Sequence, residues 1–301
     1  MDSMLYKLNS AWSSTGYSQP PTRNHRKQIC IDTVARSPDV IAEHVSEGAT
    51  ADSVFIHEQL PHLDPSACPK VTPKGATIQV INSDAYTVAL KLLDEDPDVA
   101  GKVAVLNLAS DELQGGGWEW SLSTTQEEAL CYSSTLFVTL KESYYPWPNV
   151  GPGSAAGVYS PGVVIFRDNL DGHCANLPKG KRRVVSVLTV AAPRVPQLSS
   201  DRLAFASKTV LEDLREKIRL VYRMAAHNNQ QVLVLGAMGC GAYGCPPTLV
   251  ANEMKAILLT DEFRGWFKHV IFAVYSRKDN GASNFSVFHK LFQGVELPVS
   301  S

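Results

Sequence analysis

The chain of 301 residues contains no run of about 18 apolar residues, so no membrane-spanning helix is expected. It contains no Cys-x-x-Cys pair. Its six cysteines, Cys30, Cys68, Cys131, Cys174, Cys240 and Cys245, are scattered, and none stands at a zinc-like spacing from the eight histidines. No metal is therefore expected. Charge imbalance is missing too: a formal net charge of −2 gives no overall basic character to hold nucleic acid or anionic lipid. The polar, serine-bearing start lacks the apolar core of a signal peptide and reads as a flexible tail over residues 1–23. Without a secretion signal, reduced thiols and a nuclear or cytoplasmic location are the expectation. There is no internal repeat and no clear linker. What remains, 44% hydrophobic and 19% charged, has the composition of one globular domain, read over 24–298.

The pattern along the chain alternates helices with strands. Helical spacing runs over 26–44, with Ser37-Pro38 as a point of interruption and Arg23-Asn24-His25-Arg26-Lys27 as its solvated start. Residues 45–75, with four prolines, read mostly as loop. A short β-rich run at 77–82 precedes a helix over 83–93 capped by Ser83 or Asp84. Further strands are expected at 103–106, 158–167, 183–192, 231–235 and 270–275, and further helices at 125–141, 199–228, 246–259 and 284–292. Leu203 belongs to the apolar stripe of the longest helix on this reading. Such alternation predicts an α/β domain, a largely buried sheet flanked by helices on both faces.

Two loops follow predicted strands. The first carries Gly115-Gly116-Gly117 and, eight residues on, Gln126-Glu127-Glu128 at a helix start. Three consecutive glycines forgo packing and suit a close backbone approach. Two carboxylates at a helix N-terminus lie at the favourable end of its dipole, and burial of one raises its pKa toward acid chemistry. The plainer reading is a capping box, Thr124 or Thr125 with Glu127 or Glu128, beside an ordinary loop. The second loop, Gly236-Ala237-Met238-Gly239-Cys240-Gly241-Ala242-Tyr243-Gly244, lies between a strand and Pro246-Pro247, residues suited to a first helical turn. It is no P-loop, because no Lys-Ser or Lys-Thr follows. Gly239, Gly241 and Gly244 fit G-x-G-x-x-G, but Asp261 and Glu262 precede the next strand, where the dinucleotide fingerprint wants an acid at its end. A pyrophosphate loop with Tyr243 as an aromatic platform, and a tight structural turn with Tyr243 in the core, both remain open.

Together the loops resemble those of the macrodomain-fold poly(ADP-ribose) glycohydrolases of the microbial type, whose signature is a glycine triplet followed after a short spacer by Gln-Glu-Glu. Supporting matches are Thr77-Ile78-Gln79-Val80-Ile81-Asn82 with Asp84, Tyr159-Ser160-Pro161, Phe166-Arg167-Asp168, and Leu235-Gly236-Ala237 with Gly239 to Tyr243. The resemblance implies a macrodomain-like three-layer α/β/α sandwich with a mixed central sheet. It implies hydrolysis of ribose–ribose O-glycosidic bonds in poly(ADP-ribose) carried on modified proteins, releasing ADP-ribose, with no cofactor.

It also implies roles: Glu128 as general acid, Glu127 on ribose hydroxyls, Gln126 as a substrate-binding residue, and Gly115, Gly116 and Gly117 around the ribose and diphosphate. Asn107 and Ser110 would touch the distal ribose. Gly239, Cys240, Gly241 and Ala242 would bind the diphosphate, and Tyr243 would stack near the adenine. The spacer departs from the family pattern, carrying Trp118, Glu119 and Trp120 where a Gly-Ala step is common, and Cys131-Tyr132 replaces Cys-Arg. Both indoles read as loop packing or as walls that narrow the cleft. An ADP-ribose-binding reader and a mono(ADP-ribosyl) hydrolase share these motifs.

Overall fold

The computed structural model describes residues 19–277 and 283–299. Most of the expected tail, residues 1–18, lies outside the described residues. Seven strands form one sheet in the order β1-β4-β5-β3-β6-β7-β2: β1 Val54–Ile56, β2 Gln79–Ile81, β3 Val103–Leu108, β4 Gly157–Ile165, β5 Arg183–Val190, β6 Val232–Leu235 and β7 His269–Ala273. Strands β5, β3, β6, β7 and β2 run parallel, whereas β4 pairs antiparallel with both β5 and β1. The sheet is therefore mixed.

Strand β3 lies at its centre and is buried on both faces, which is why it reads as an unbroken apolar run. Ala104 and Leu106 face one core, with Leu214, Val221, Val250 and Phe288; Val103 and Val105 face the other, with Ile29, Val88 and Leu130. The first core is covered by α6 (Lys208–His227), α7 (Pro247–Leu258) and α8 (Asn284–Phe292), the second by α1 (Arg23–Glu43), α2 (Ala85–Glu95) and α4 (Gln126–Ser133). Between β3 and α4 stands the single turn α3 (Trp118–Ser121). The molecule is a three-layer α/β/α sandwich with a mixed central sheet. Among the described residues no helix is long and apolar enough to cross a membrane.

Four expectations are corrected. Helix α1 runs unbroken through Pro38, its inner face fixed by buried Ile29, Thr33, Ser37 and Val40. Residues 54–56, expected in loop, form edge strand β1 because β4 offers them a pairing partner. The helix expected over 125–141 breaks after Ser133. Ser134 is extended and bridges Ile165, and Thr135 exchanges hydrogen bonds with Val164, before α5 (Leu136–Thr139) resumes. The helix expected over 199–228 starts only at Lys208, capped by Ser207, so at 20 residues it is shorter than the 21 of α1, and Leu203 is solvent-exposed and not part of the stripe. The cap of α2 is Asp84, whose carboxylate accepts the Thr87 N–H at 3.1 Å.

Strand β4 bulges between Ser160 and Val163, where Gly162 meets the segment after α1. Its carbonyl accepts the Thr50 N–H, and a Cβ at Gly162 would stand 2.2 Å from the Gly48 carbonyl oxygen. Backbone opposes backbone here, so no side chain can yield. Gly162→Ala is expected to cost about 1–3 kcal/mol of unfolding free energy in urea titration, in line with overpacked sites; an unchanged midpoint would contradict this close contact.

Candidate active site

The site is built where the C-terminal end of β3 meets the N-terminus of α4. The amide of Gln126, first residue of α4, spans that strand end: its Nε2 donates to the Leu106 carbonyl and its Oε1 accepts the Leu108 N–H, both at 2.8 Å. This clamp aims the next two residues. Glu127 is buried, with Oε1 accepting from Asn107 Nδ2 at 3.0 Å and Oε2 from the Ser110 N–H at 2.7 Å. Asn107 is itself held by Thr189 Oγ1 at 3.3 Å. Glu128 is 6% exposed, and its Oε2 accepts the Thr125 hydroxyl. The capping-box expectation is thereby corrected: Thr125 stands at the cap position, but its hydroxyl serves the Glu128 carboxylate and makes no cap bond to a backbone N–H.

The glycine triplet is demanded by this pair. Gly115, Gly116 and Gly117 have φ of 57°, 65° and 72°, three left-handed residues in succession. A Cβ at Gly116 would lie 2.8 Å from Glu128 Oε1 and 3.0 Å from Glu127 Oε2. A Cβ at Gly115 would meet the Phe137 ring at 2.9 Å, and one at Gly117 the Trp120 ring at 2.5 Å. The two indoles part company. Trp118 is fully buried against Tyr132 and Phe137, whereas Trp120 is 64% exposed.

The second loop faces the first across the cleft. Gly239 has φ 72°, and a Cβ there would meet Ala192 and the Cys245 sulfur within 2.7 Å. A Cβ at Gly241 would meet open space. The Tyr243 hydroxyl donates to Asp111 Oδ1 at 3.2 Å. Asp111 is buried, accepts from Asn149 Nδ2 on the same oxygen at 3.0 Å, and lies 3.7 Å from the Arg194 guanidinium. Helix α7 begins at Pro247 after Pro246.

Two adjoining cavities share Leu108, Gln126, Ala237 and Gly241 and so form one cleft. The larger, about 560 Å³, has Glu127, Glu128, Gly116, Ser110 and Tyr243 on its wall, with Gly239 and Ala242 opposite. The smaller, about 420 Å³, is lined by Asp84, Asn169, Asp171, Tyr275 and Asn284. The sequence thus singles out, more than a hundred positions apart, residues that line one cleft. It also names residues that stand behind the wall: Asn107 supports Glu127, Gly115 and Gly117 shape the loop, and the Cys240 carbonyl accepts from Asn284 Nδ2 at 3.2 Å. Gln126 touches the cleft, but its amide is spent on β3. Tyr243, expected near the adenine, lines the carboxylate cavity alone of the two, because Asp111 holds its hydroxyl there. The sequence gives no sign of Asp111, of Arg194, or of the part of the smaller cavity formed by Asn169, Asp171, Tyr275 and Asn284. Asp84, a cap candidate and part of the resemblance in the sequence, lines the smaller cavity as well. Among the described residues no three His, Cys, Asp or Glu side chains gather as a metal site.

Burial, then the charges of Glu128 and Asp111, push the Glu127 carboxyl up from 4.5 to about 8, against the pull of its two N–H donors. Below 4.5 folded and unfolded chains both hold this proton. As pH rises toward 8 the unfolded chain releases it while the native site retains it, so stability falls. The wild-type melting temperature is expected to drop more steeply than that of Glu127→Gln between pH 4.5 and about 8, by calorimetry. Parallel pH profiles would contradict the raised pKa.

Comparison with known proteins agrees with this geometry. Residues 23–168 match the family described as "Microbial-type PARG, catalytic domain". No curated protein matches the sequence. Among solved structures, poly(ADP-ribose) glycohydrolase from Thermomonospora curvata is 28% identical, with 89% of this chain and 99% of that chain covered and a TM-score of 0.70. The same enzyme bound to the inhibitor ADP-HPD gives 28%, the same coverages and 0.69. The Deinococcus radiodurans poly(ADP-ribose) glycohydrolase in complex with ADP-ribose is 30% identical, covering 75% of this chain and 88% of that chain, with a TM-score of 0.60. The glycine triplet, the paired carboxylates and this likeness converge: the chain belongs to the microbial-type poly(ADP-ribose) glycohydrolases.

Proposed function

We propose that Glu128 is the acid with which this glycosidase cleaves ribose–ribose O-glycosidic bonds of poly(ADP-ribose), releasing ADP-ribose. The observation that carries the assignment is Gly116: its backbone approaches Glu128 Oε1 and Glu127 Oε2 so closely that no side chain fits, leaving both carboxylates open to the cleft.

The cleft orders the substrate along its length. The adenosine end takes the smaller cavity, where Asp84 offers a carboxylate to an exocyclic amine. The diphosphate lies over Gly239, Gly241 and Ala242, where backbone dipoles meet its charge without a lysine field. The distal ribose enters the larger cavity between Gly116 and Tyr243. Glu127, held protonated near neutrality by its burial, donates to a ribose hydroxyl and fixes the ring. Glu128 passes its proton to the departing oxygen as oxocarbenium character builds at the anomeric carbon. The substrate's own phosphate lies close enough along the chain to steady that cation. The ionised Glu128 then takes a proton from water, which adds to the same carbon and restores the acid. Thr125 keeps the carboxyl turned toward this work. Polymer attached to modified proteins in the nucleus or cytoplasm is the substrate this reading assigns.

Glu128→Gln keeps the shape of the side chain and loses the proton. Release of ADP-ribose from auto-modified poly(ADP-ribose) is expected to fall on the order of 10²–10⁴-fold, the range for general acids. ADP-ribose binding by calorimetry is expected to persist. Undiminished release by the variant would remove Glu128 from the role.

A further inference from the structure

Every unit of poly(ADP-ribose) carries a diphosphate, yet the wall of the carboxylate cavity is acidic. Glu112, Glu127 and Glu128 line it, and buried Asp111 stands behind. A phosphate brought there meets like charge unless a cation offsets it. Among the described residues lining this cavity, Arg194 is the single Lys, Arg or His. It does not line the adjoining smaller cavity, so its charge belongs to the carboxylate end of the cleft.

The backbone beneath Arg194 is fixed at several points. Its N–H donates to Asn149 Oδ1 at 2.8 Å, and Asn149 Nδ2 donates in turn to Asp111 Oδ1 at 3.0 Å and to the Ala192 carbonyl at 2.9 Å. The next N–H, that of Val195, donates to the Tyr243 carbonyl at 3.0 Å. Val195 has φ 44°, a left-handed conformation that a β-branched residue adopts only where its surroundings impose it, and its side chain is exposed. The segment is thus tied both to Asp111 and to the second loop, and Arg194 is kept on the cavity wall.

The guanidinium is held without being used up. Nη1 meets Glu112 Oε2 at 2.5 Å, and Nη2 stands 3.7 Å from Asp111 Oδ2. Arg194 leaves 38% of its side chain in solvent and Glu112 leaves 50%. An ion pair so exposed is weak, and its carboxylate can turn into water. The fork of N–H donors that receives a carboxylate receives a phosphate equally well.

We infer that Arg194 is a phosphate-binding side chain of this cleft, exchanging the Glu112 carboxylate for a phosphate of the polymer beside the bond that is cut. The inference rests on the glycohydrolase reading above and adds one cation to the backbone dipoles of the second loop. The phosphate belongs to the unit seated in the cleft or to the unit that departs; the chemistry of the contact is the same.

The test measures kcat/KM on poly(ADP-ribose), and Kd for ADP-ribose by calorimetry, in wild type, Arg194→Gln, Arg194→Lys, Glu112→Gln and the double variant Glu112→Gln/Arg194→Gln. Arg194→Gln is expected to lose roughly ten- to hundredfold in kcat/KM on polymer, the range for a lost hydrogen bond to a charged group, and Arg194→Lys to recover part of it. A matching loss of ADP-ribose affinity assigns the phosphate to the seated unit; an unchanged Kd assigns it to the departing one. Glu112→Gln is expected to act with the opposite sign, raising kcat/KM on polymer, and the gain should vanish in the double variant. Partners in a merely structural pair lose together, so equal losses in Glu112→Gln and Arg194→Gln would overturn the inference. So would an undiminished kcat/KM in Arg194→Gln, or a Glu112→Gln gain that persists in the double variant. Wild type that releases no ADP-ribose from polymer would overturn the glycohydrolase reading itself, and the inference with it.

Discussion

The amide of Gln126 bonds to two backbone groups of one strand end, and the site hangs from that grip. Strand β3 ends in the sheet centre, where its last carbonyl and N–H groups would otherwise lie unpaired against apolar layers. Gln126 satisfies them and in doing so fixes the azimuth of the helix that follows. With the first residue of α4 pinned, Glu127 points back at Asn107 and Ser110, and Glu128 points out beneath Gly116. A side chain implied by resemblance to hold substrate is, in the structure, what aims Glu127 and Glu128.

That aim brings two carboxylates together under little solvent, an arrangement that costs stability. Burial and neighbouring negative charge press on Glu127, and the N–H groups of Ser110 and Asn107 offset part of the cost. The glycine loop completes the site with backbone alone. Three left-handed residues in a row are poor folding material, yet each is forced: Gly115 by Phe137, Gly116 by the carboxylates and Gly117 by Trp120. The facing wall is stiffened differently, by a buried Asp111 that accepts from Tyr243 and Asn149 and lies near Arg194.

The sequence carries the layers well and the cleft unevenly. Strand β3 is legible because burial on both faces leaves only apolar residues, and α1 because its spacing survives Pro38. The glycine triplet and Gln126-Glu127-Glu128 are legible because chemistry and backbone geometry constrain the same short stretch. Edge strand β1 is not, since three residues take strand form only against β4. The break at Ser134 is not, since it depends on Thr135 pairing with Val164. Trp118 and Trp120 look alike in the sequence, and only the packed loop separates a core ring from an exposed one. The tether from Tyr243 to Asp111 joins residues 132 positions apart and sets the ring on the wall of the carboxylate cavity. Beyond the residues it shares with the larger one, the smaller cavity draws on stretches around Asp84, Asn169, Tyr275 and Asn284 that lie far apart in the chain.

On the proposed reading, one cleft orders a single ADP-ribose unit with its distal ribose under Gly116 and its adenine toward Asp84. The most direct measurement is a crystal structure of the Glu128→Gln variant with ADP-ribose bound. The distal ribose is expected between Gly116, Glu127 and Tyr243, the diphosphate along Gly239 to Ala242, and the adenine in the smaller cavity. A distal ribose lying away from Gly116 and Glu127, or an adenine seated in the carboxylate cavity, would contradict it.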